Sequence, residues 1–319
     1  MNKKRKILGM AAAITVMVSL LIVSIPAEEK TEQSPAISNL ERDRPSKVIE
    51  KYGLQKTPPA PVDPKKLCEM PISSELIKRG LSREEMKKFP KMPENRAVYK
   101  KDSVEIKGCS LGGCHTDFGT IIKQSGNYVG SYAGQEVRDD VSLPHGDVLY
   151  APTLFADKSA LESTTFYWGK ASGTKLYWGI YNHRAGGWEY LTEMDANFYD
   201  KYVRRYSEGN LYFTMVVRYG TNNNRVAIYN SKTYSWENAA FAWGQSGHTN
   251  GWDIFEPHFD SGTCPSLPNI ESTNLKTYIA SSNKWVLVTP TYTERIDHLG
   301  CCTDYWTRYI SNYYHWAVN

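Results

Sequence analysis

From residue 148 onward the chain is built from short β-branched and aromatic runs separated by turn residues, and this pattern limits the fold more than any other feature. Residues 148–150, 164–168, 175–181, 211–219, 225–229, 284–288 and 305–310 read as strands, with Asn222-Asn223-Asn224 as a turn. No long stretch repeats apolar residues every 3.6 positions, so crossover helices are not expected between them. Closely spaced strands without helices predict an all-β chain, an antiparallel β-sandwich of the concanavalin-like jelly-roll kind.

The aromatic residues divide unevenly. The first 150 residues hold no Trp, five Tyr and two Phe; the remaining 169 hold nine Trp, 17 Tyr and seven Phe. The front of the chain is charged instead: residues 28–107 carry 18 basic and 14 acidic side chains and nine of the 16 prolines, Pro58-Pro59-Ala60-Pro61 included. So little apolar surface predicts a mostly disordered or polyproline-like segment. A short helix is expected near 73–89, because Ser82-Arg83-Glu84-Glu85 has capping-box spacing and Gly80 breaks the preceding turn. Two roles are open for 28–107, a solvated linker or a propeptide that covers a site.

Lys3-Lys4-Arg5-Lys6 followed by an uncharged run from Ile7 to Ile25 reads as a secretory signal peptide over residues 1–27. The expected product is secreted and extracellular, with no membrane span after signal removal, unless the run is retained as an N-terminal anchor. Residues 108–147 read as a Cys-containing connecting segment and 148–319 as the β-jelly-roll domain. A net charge of +4 gives no reason to expect a nucleic-acid partner.

Export makes disulfides the expected state of Cys68, Cys109, Cys114, Cys264, Cys301 and Cys302. Six cysteines allow 15 pairings. Cys109 with Cys114 would close a local loop across Gly112-Gly113, and Cys264 is one candidate for Cys301 or Cys302. Cys109 to His115 departs from the haem-attachment spacing, and zinc-protease and phosphate-loop motifs are missing from the sequence. No cofactor and no metal site is expected.

Three constellations could carry chemistry. Trp168, Trp178, Trp188, Trp236, Trp243 and Trp252 recur beside Gly, Asn or Tyr, a texture suited to stacking on sugar rings. Trp178, Trp188 and Trp252 would stack, with Tyr177, Tyr181, Asn182 and Tyr190 alongside. In 251–260, Ile254, Glu256, His258 and Asp260 share one face of a strand while Asp253, Phe255 and Phe259 share the other; Pro257 suggests an edge strand or a bulge. Glu189, with Glu193 and Asp195, offers a second carboxylate for a pair with Glu256.

The runs 209–213, 226–230 and 251–256, followed by Cys264-Pro265-Ser266-Leu267-Pro268, resemble the secreted glutamic peptidases, eqolisin-like and more distantly neprosin-like. That resemblance implies a jelly roll and places Glu256 at the catalytic glutamate. It implies a second acid or amide in a segment of the form acid-or-amide, small, Gly, apolar, where this chain reads Tyr177-Trp178-Gly179-Ile180. The catalytic pair therefore looks incomplete. The main expectation is binding of an extracellular polymer, polysaccharide or cell-wall glycan, through aromatics. The alternative is a glutamic-type peptidase using Glu256 on a protein substrate, with 28–107 as its activation segment. Which holds turns on whether Tyr177 and Glu256 face one groove.

Overall fold

A computed structural model describes residues 45–92, 114–297, 302, 304–311 and 314–318. The expected signal peptide, Cys109, Cys301 and the side chain of Cys114 lie outside the described residues. Two antiparallel sheets form a sandwich, as the strand pattern requires. The first runs β15 (Thr293–Asp297), β2 (Phe118–Ile122), β12 (Gly251–Phe259), β4 (Val148–Phe155), β5 (Leu161–Lys170), β6 (Gly173–Asn182), β7 (Gly187–Glu193), with β1 (Cys114–His115) paired to β12. The second runs β11 (Ser235–Trp243), β10 (Asn223–Asn230), β9 (Gly209–Tyr219), β3 (Tyr128–Glu136), β13 (Ile270–Ile279), β17 (His315–Val318), β16 (Thr307–Ser311), with β14 (Lys284–Leu287) on β13 and β8 (Arg204–Tyr206) on β9.

The core lies between the sheets. Leu154, Trp178, Ile180 and Leu161 of the first meet Tyr212, Val216 and Ala133 of the second. Further along, Phe118, Leu149, Tyr167 and Phe255 meet Ile270, Trp316 and Val318. Three strands, β1 to β3, came from the stretch expected to be a connector. β3 reads Tyr-Val-Gly-Ser-Tyr-Ala-Gly-Gln-Glu, whose glycines hide the alternation. Gly130 is there because a Cβ would stand 2.6 Å from the Trp285 ring. A helix, α5 (Ala196–Tyr202), interrupts the strands, capped by the Asp195 carboxylate accepting from the Phe198 amide at 2.8 Å.

Four short helices precede the sandwich: α1 (Pro45–Val48), α2 (Pro64–Glu69), α3 (Ser74–Arg79) and α4 (Arg83–Met86). The expected helix near 73–89 is present as α3 and α4, and Ser82 and Glu85 form the anticipated capping box. Residues 47–92 are laid along the sandwich as a strap rather than projecting into water. The strap starts on the outer face of the second sheet. There the Tyr132 hydroxyl donates to Pro59 O (2.5 Å), Trp236 Nε1 to Ala60 O (2.8 Å) and Trp285 Nε1 to Val62 O (2.9 Å). Aromatic donors gripping a proline-rich main chain are a known use of polyproline geometry, which leaves every carbonyl free to accept. Leu67 and Met70 pack on Phe213, Met215 and Trp236 of the same face.

The strap then rounds the β11/β7 edge. Ile72 bridges Asn238 of β11, and the Leu81 amide donates to Leu191 O of β7 at 2.8 Å. The crossing needs Gly80, where a Cβ would lie 2.8 Å from the Tyr190 ring.

Candidate functional site

The second half of the strap lies on the outer face of the first sheet, and that face carries the chemistry. Registers across five strands define its rows. One row reads Glu256, Tyr150, Phe166, Tyr177, Glu193, from β12 through β4, β5 and β6 to β7. Four residues along β12 a second row reads Trp252, Phe155, Glu162, Tyr181, Trp188. Between them runs Ile254, Thr153, Thr164, Gly179, Leu191, a strip of smaller side chains flanked by large rings. Tyr177 and Glu256 therefore share one face and one row.

Glu256 is fully buried, and its Oε1 lies 3.0 Å from His258 Nε2. The His258 ring stands edge-on to Tyr150 at 5.6 Å and keeps 25% of its side-chain surface open. The sequence suggested an edge strand or a bulge at Pro257. β12 is a central strand rather than an edge, and the irregularity takes the form of a register shift against β4 between Ile254 and Glu256, just ahead of Pro257. Pro257 is tolerated because it falls where β12 leaves β2, after Phe255–Phe118, and has yet to meet β1 at His258–His115. Its missing N–H breaks no ladder bond on that side.

The second buried carboxylate on this face is Glu162, not the expected Glu189. Glu162 is fully buried in the other row, accepting from Trp252 Nε1 at 2.7 Å and lying 2.6 Å from His183 Nε2. His183 in turn meets the His248 ring at 4.7 Å, beside a cavity of about 340 Å³ that both histidines line. Leu161-Glu162-Ser163 has the acid-then-small form sought at Tyr177, but Thr164-Thr165 stand where Gly and an apolar residue were sought, and the stretch lies just ahead of the strand expected over 164–168. At about 3.3 Å per residue and 4.8 Å per strand, Glu162 and Glu256 stand about 16 Å apart at the backbone. They are two separate carboxylate–imidazole pairs, not one shared pair.

The remaining sequence candidates scatter. Trp178 points inward: fully buried, it donates from Nε1 to Ser163 Oγ (3.0 Å) and packs on Tyr190, Phe198 and Tyr212. It cannot stack on a ligand, and Tyr190 lies in the same core. Trp252 is covered, its ring stacked on Phe155 at 4.0 Å. Asn182 accepts from the Ala185 amide and donates to Glu189 Oε2 at 3.1 Å, which orders the β6–β7 turn. Glu189 is exposed near the start of β7, at the register shift against β6, and does not share the row of Glu256. Glu193 pairs with Lys175 at 2.8 Å. Tyr177, Tyr181 and Trp188 do line the outer face.

Those three rings, with Tyr150 and Phe166, receive the strap. Met86 and Met92 are buried there, and Leu81 and Phe89 pack against the same cluster. Main-chain carbonyls are held as well. Trp188 Nε1 donates to Pro90 O (2.9 Å), the Tyr150 hydroxyl to Lys91 O (3.4 Å) and the Tyr181 hydroxyl to Met92 O (3.5 Å). A cavity of about 440 Å³ remains beside it, between Met86, Phe89 and the 185–189 turn.

Among the described residues no group of three or more His, Cys, Asp or Glu could hold a metal ion, and no helix is long and apolar enough to cross a membrane. Cys264 and Cys302 form a disulfide, one of the two pairings open to Cys264. Cys68, expected to be bridged, is a free thiol: α2 lays it half-buried on the second sheet near Arg225, and burial pushes it up to about 11.

No family model matches the chain, and no curated protein matches it. Similar solved structures exist. Scytalido-glutamic peptidase with a peptide-based transition-state analog is 11% identical, covers 65% of this chain and 98% of its own, and has a TM-score of 0.36. The same peptidase with a transition-state analog inhibitor gives 12%, 65%, 96% and 0.37. SCP-B, an eqolisin-family peptidase in complex with the tripeptide Ala-Ile-His, gives 10%, 65%, 98% and 0.36.

Proposed function

We propose that this chain is an exported peptide hydrolase of glutamic type, held at rest by its own residues 81–92. One observation carries the reading: the outer face of the first sheet already holds a polypeptide, through three consecutive carbonyls bound by Trp188, Tyr150 and Tyr181. A surface that binds main-chain carbonyls regardless of side chain suits a protein substrate. Of the rings expected to stack on sugar, Trp178 and Trp252 are buried and Trp188 holds the strap.

Glu256 is the general base, drawing a proton from water as the oxygen attacks the peptide carbonyl; the carboxyl then returns the proton to the leaving nitrogen. His258 orients the carboxylate through its 3.0 Å contact. Tyr150, directly opposite Glu256 in register, takes the place of the absent amide partner, because its hydroxyl is already aimed at a peptide carbonyl. A donor there polarises the carbonyl and steadies the oxyanion.

The test is digestion of a denatured protein at acidic pH by the intact chain and by the chain after limited proteolysis ahead of the sandwich. Activity is expected in the cut form alone, to vanish in Glu256→Gln and to fall about a hundred-fold in Tyr150→Phe. A cut chain that leaves protein untouched yet is retained on insoluble polysaccharide would establish the binding function instead.

A further inference from the structure

The strap also shows what the cleft selects. We infer that the site prefers extended peptides bearing an aromatic side chain followed, three residues later, by a long unbranched apolar one. This deepens the reading of the face as a peptide cleft and rests on it.

The three carbonyl contacts fix where a chain lies without reading its sequence. Two side-chain seats do the reading. Phe89 enters a box of rings, 5.0 Å from Tyr177 edge-to-face, 5.1 Å from Trp168 and 6.2 Å from Phe166. Such geometry rewards a flat ring with a positive edge more than an aliphatic group of equal size. Met92 is 1% exposed in the same apolar cluster. A thioether chain tolerates the irregular gap between rings that a β-branched residue would not enter. Between the seats, Lys91 is exposed and Pro90 half-exposed, so these positions are open to other residues. The spacing suits a chain in the extended polyproline form, in which residues three apart return to the same side about 9 Å along.

The experiment uses the full chain carrying Phe89→Ala with Met92→Ala, which weakens the strap's hold at both seats. The probe is a synthetic peptide spanning residues 81–92, titrated by tryptophan fluorescence. The native peptide should bind, its Phe89→Ala form at least about ten-fold more weakly, and its Lys91→Ala form within about two-fold. Equal affinity of the native and Phe89→Ala peptides, or no binding by any, overturns the inference.

Should the double variant fail to fold, hydrogen exchange on single variants gives the same answer. Phe89→Ala should speed exchange over 81–92 at least about ten-fold and Lys91→Ala should not; unchanged protection in Phe89→Ala sinks the idea. Cleavage of denatured protein without this preference removes the seats and spares the peptidase reading. Selective binding without cleavage does the reverse.

Discussion

Trp178 and Glu162 show how a residue's chemistry depends on which side of a strand it occupies. Trp178 was legible as a strand residue and Glu162 lay just ahead of the strand expected over 164–168; neither could be assigned a face, because β5 and β6 are buried on both sides and lack a clean alternation of apolar and polar residues. Trp178 went to the core and Glu162 to the cleft. Trp178→Ala should therefore lower the thermal midpoint, by about 3–5 kcal/mol of stability, without a specific effect on ligand binding. A stable variant with lost polysaccharide retention would contradict this. Glu256 was readable because its face could be counted from 253–256, and the register shift left that parity intact. Its neighbour Tyr150 was not, since pairing between β12 and β4 spans about a hundred residues and no local signal records it.

At the scale of elements, the sequence disclosed strands wherever β-branched and aromatic residues clustered, and concealed β2 and β3, where Gly, Ser and Thr make room for rings from the facing layer. The capping box in α4 was visible because it is local. The strap's route was not visible, since its contacts reach from Pro59 to Tyr132, Ala60 to Trp236 and Val62 to Trp285. One covalent tie closes this layer: Cys264, just past β12, is joined to Cys302, ahead of β16, across 38 residues. Its reduction should cost about 2–4 kcal/mol by releasing a loop of that length. A reduced chain that melts at the oxidised midpoint would count against it. Within the strap, Ser82→Ala removes the hydroxyl that accepts from the Glu85 amide and donates to its carboxylate, leaving only the bond from the residue 82 amide, and should raise protease sensitivity over 81–92, at a cost of about 1 kcal/mol.

The whole molecule leans toward acid. Asp253 is fully buried between the sheets, accepting from Ser272, Trp316 and Gln135, and burial still pushes it up to about 6. Burial likewise lifts Glu136 to about 8 against the pull of Arg138. Both groups hold a proton more tightly folded than unfolded. Their contribution is complete below the unfolded carboxyl range and is lost as pH climbs, through about 6 for Asp253 and about 8 for Glu136. The thermal midpoint should fall between pH 5 and pH 8, and Asp253→Asn should flatten the lower part of that slope. A midpoint that rises over the interval refutes the assignment.

The strap also sets an order of events in time. Its docking surfaces are assembled from β3, β9, β11 and β14 on one side and β4 to β7 on the other, all of which emerge later from the ribosome. The strap, made ahead of every strand that receives it, is thus the last part of that assembly to find its place, and it travels unpartnered until β14 has paired. Contacts spanning 164 to 223 residues make that closing step slow, since loop closure precedes any reward. Through that interval both aromatic faces stand open. A nascent chain of this design is most adhesive just before it is finished, and the strap ends its own exposure along with theirs.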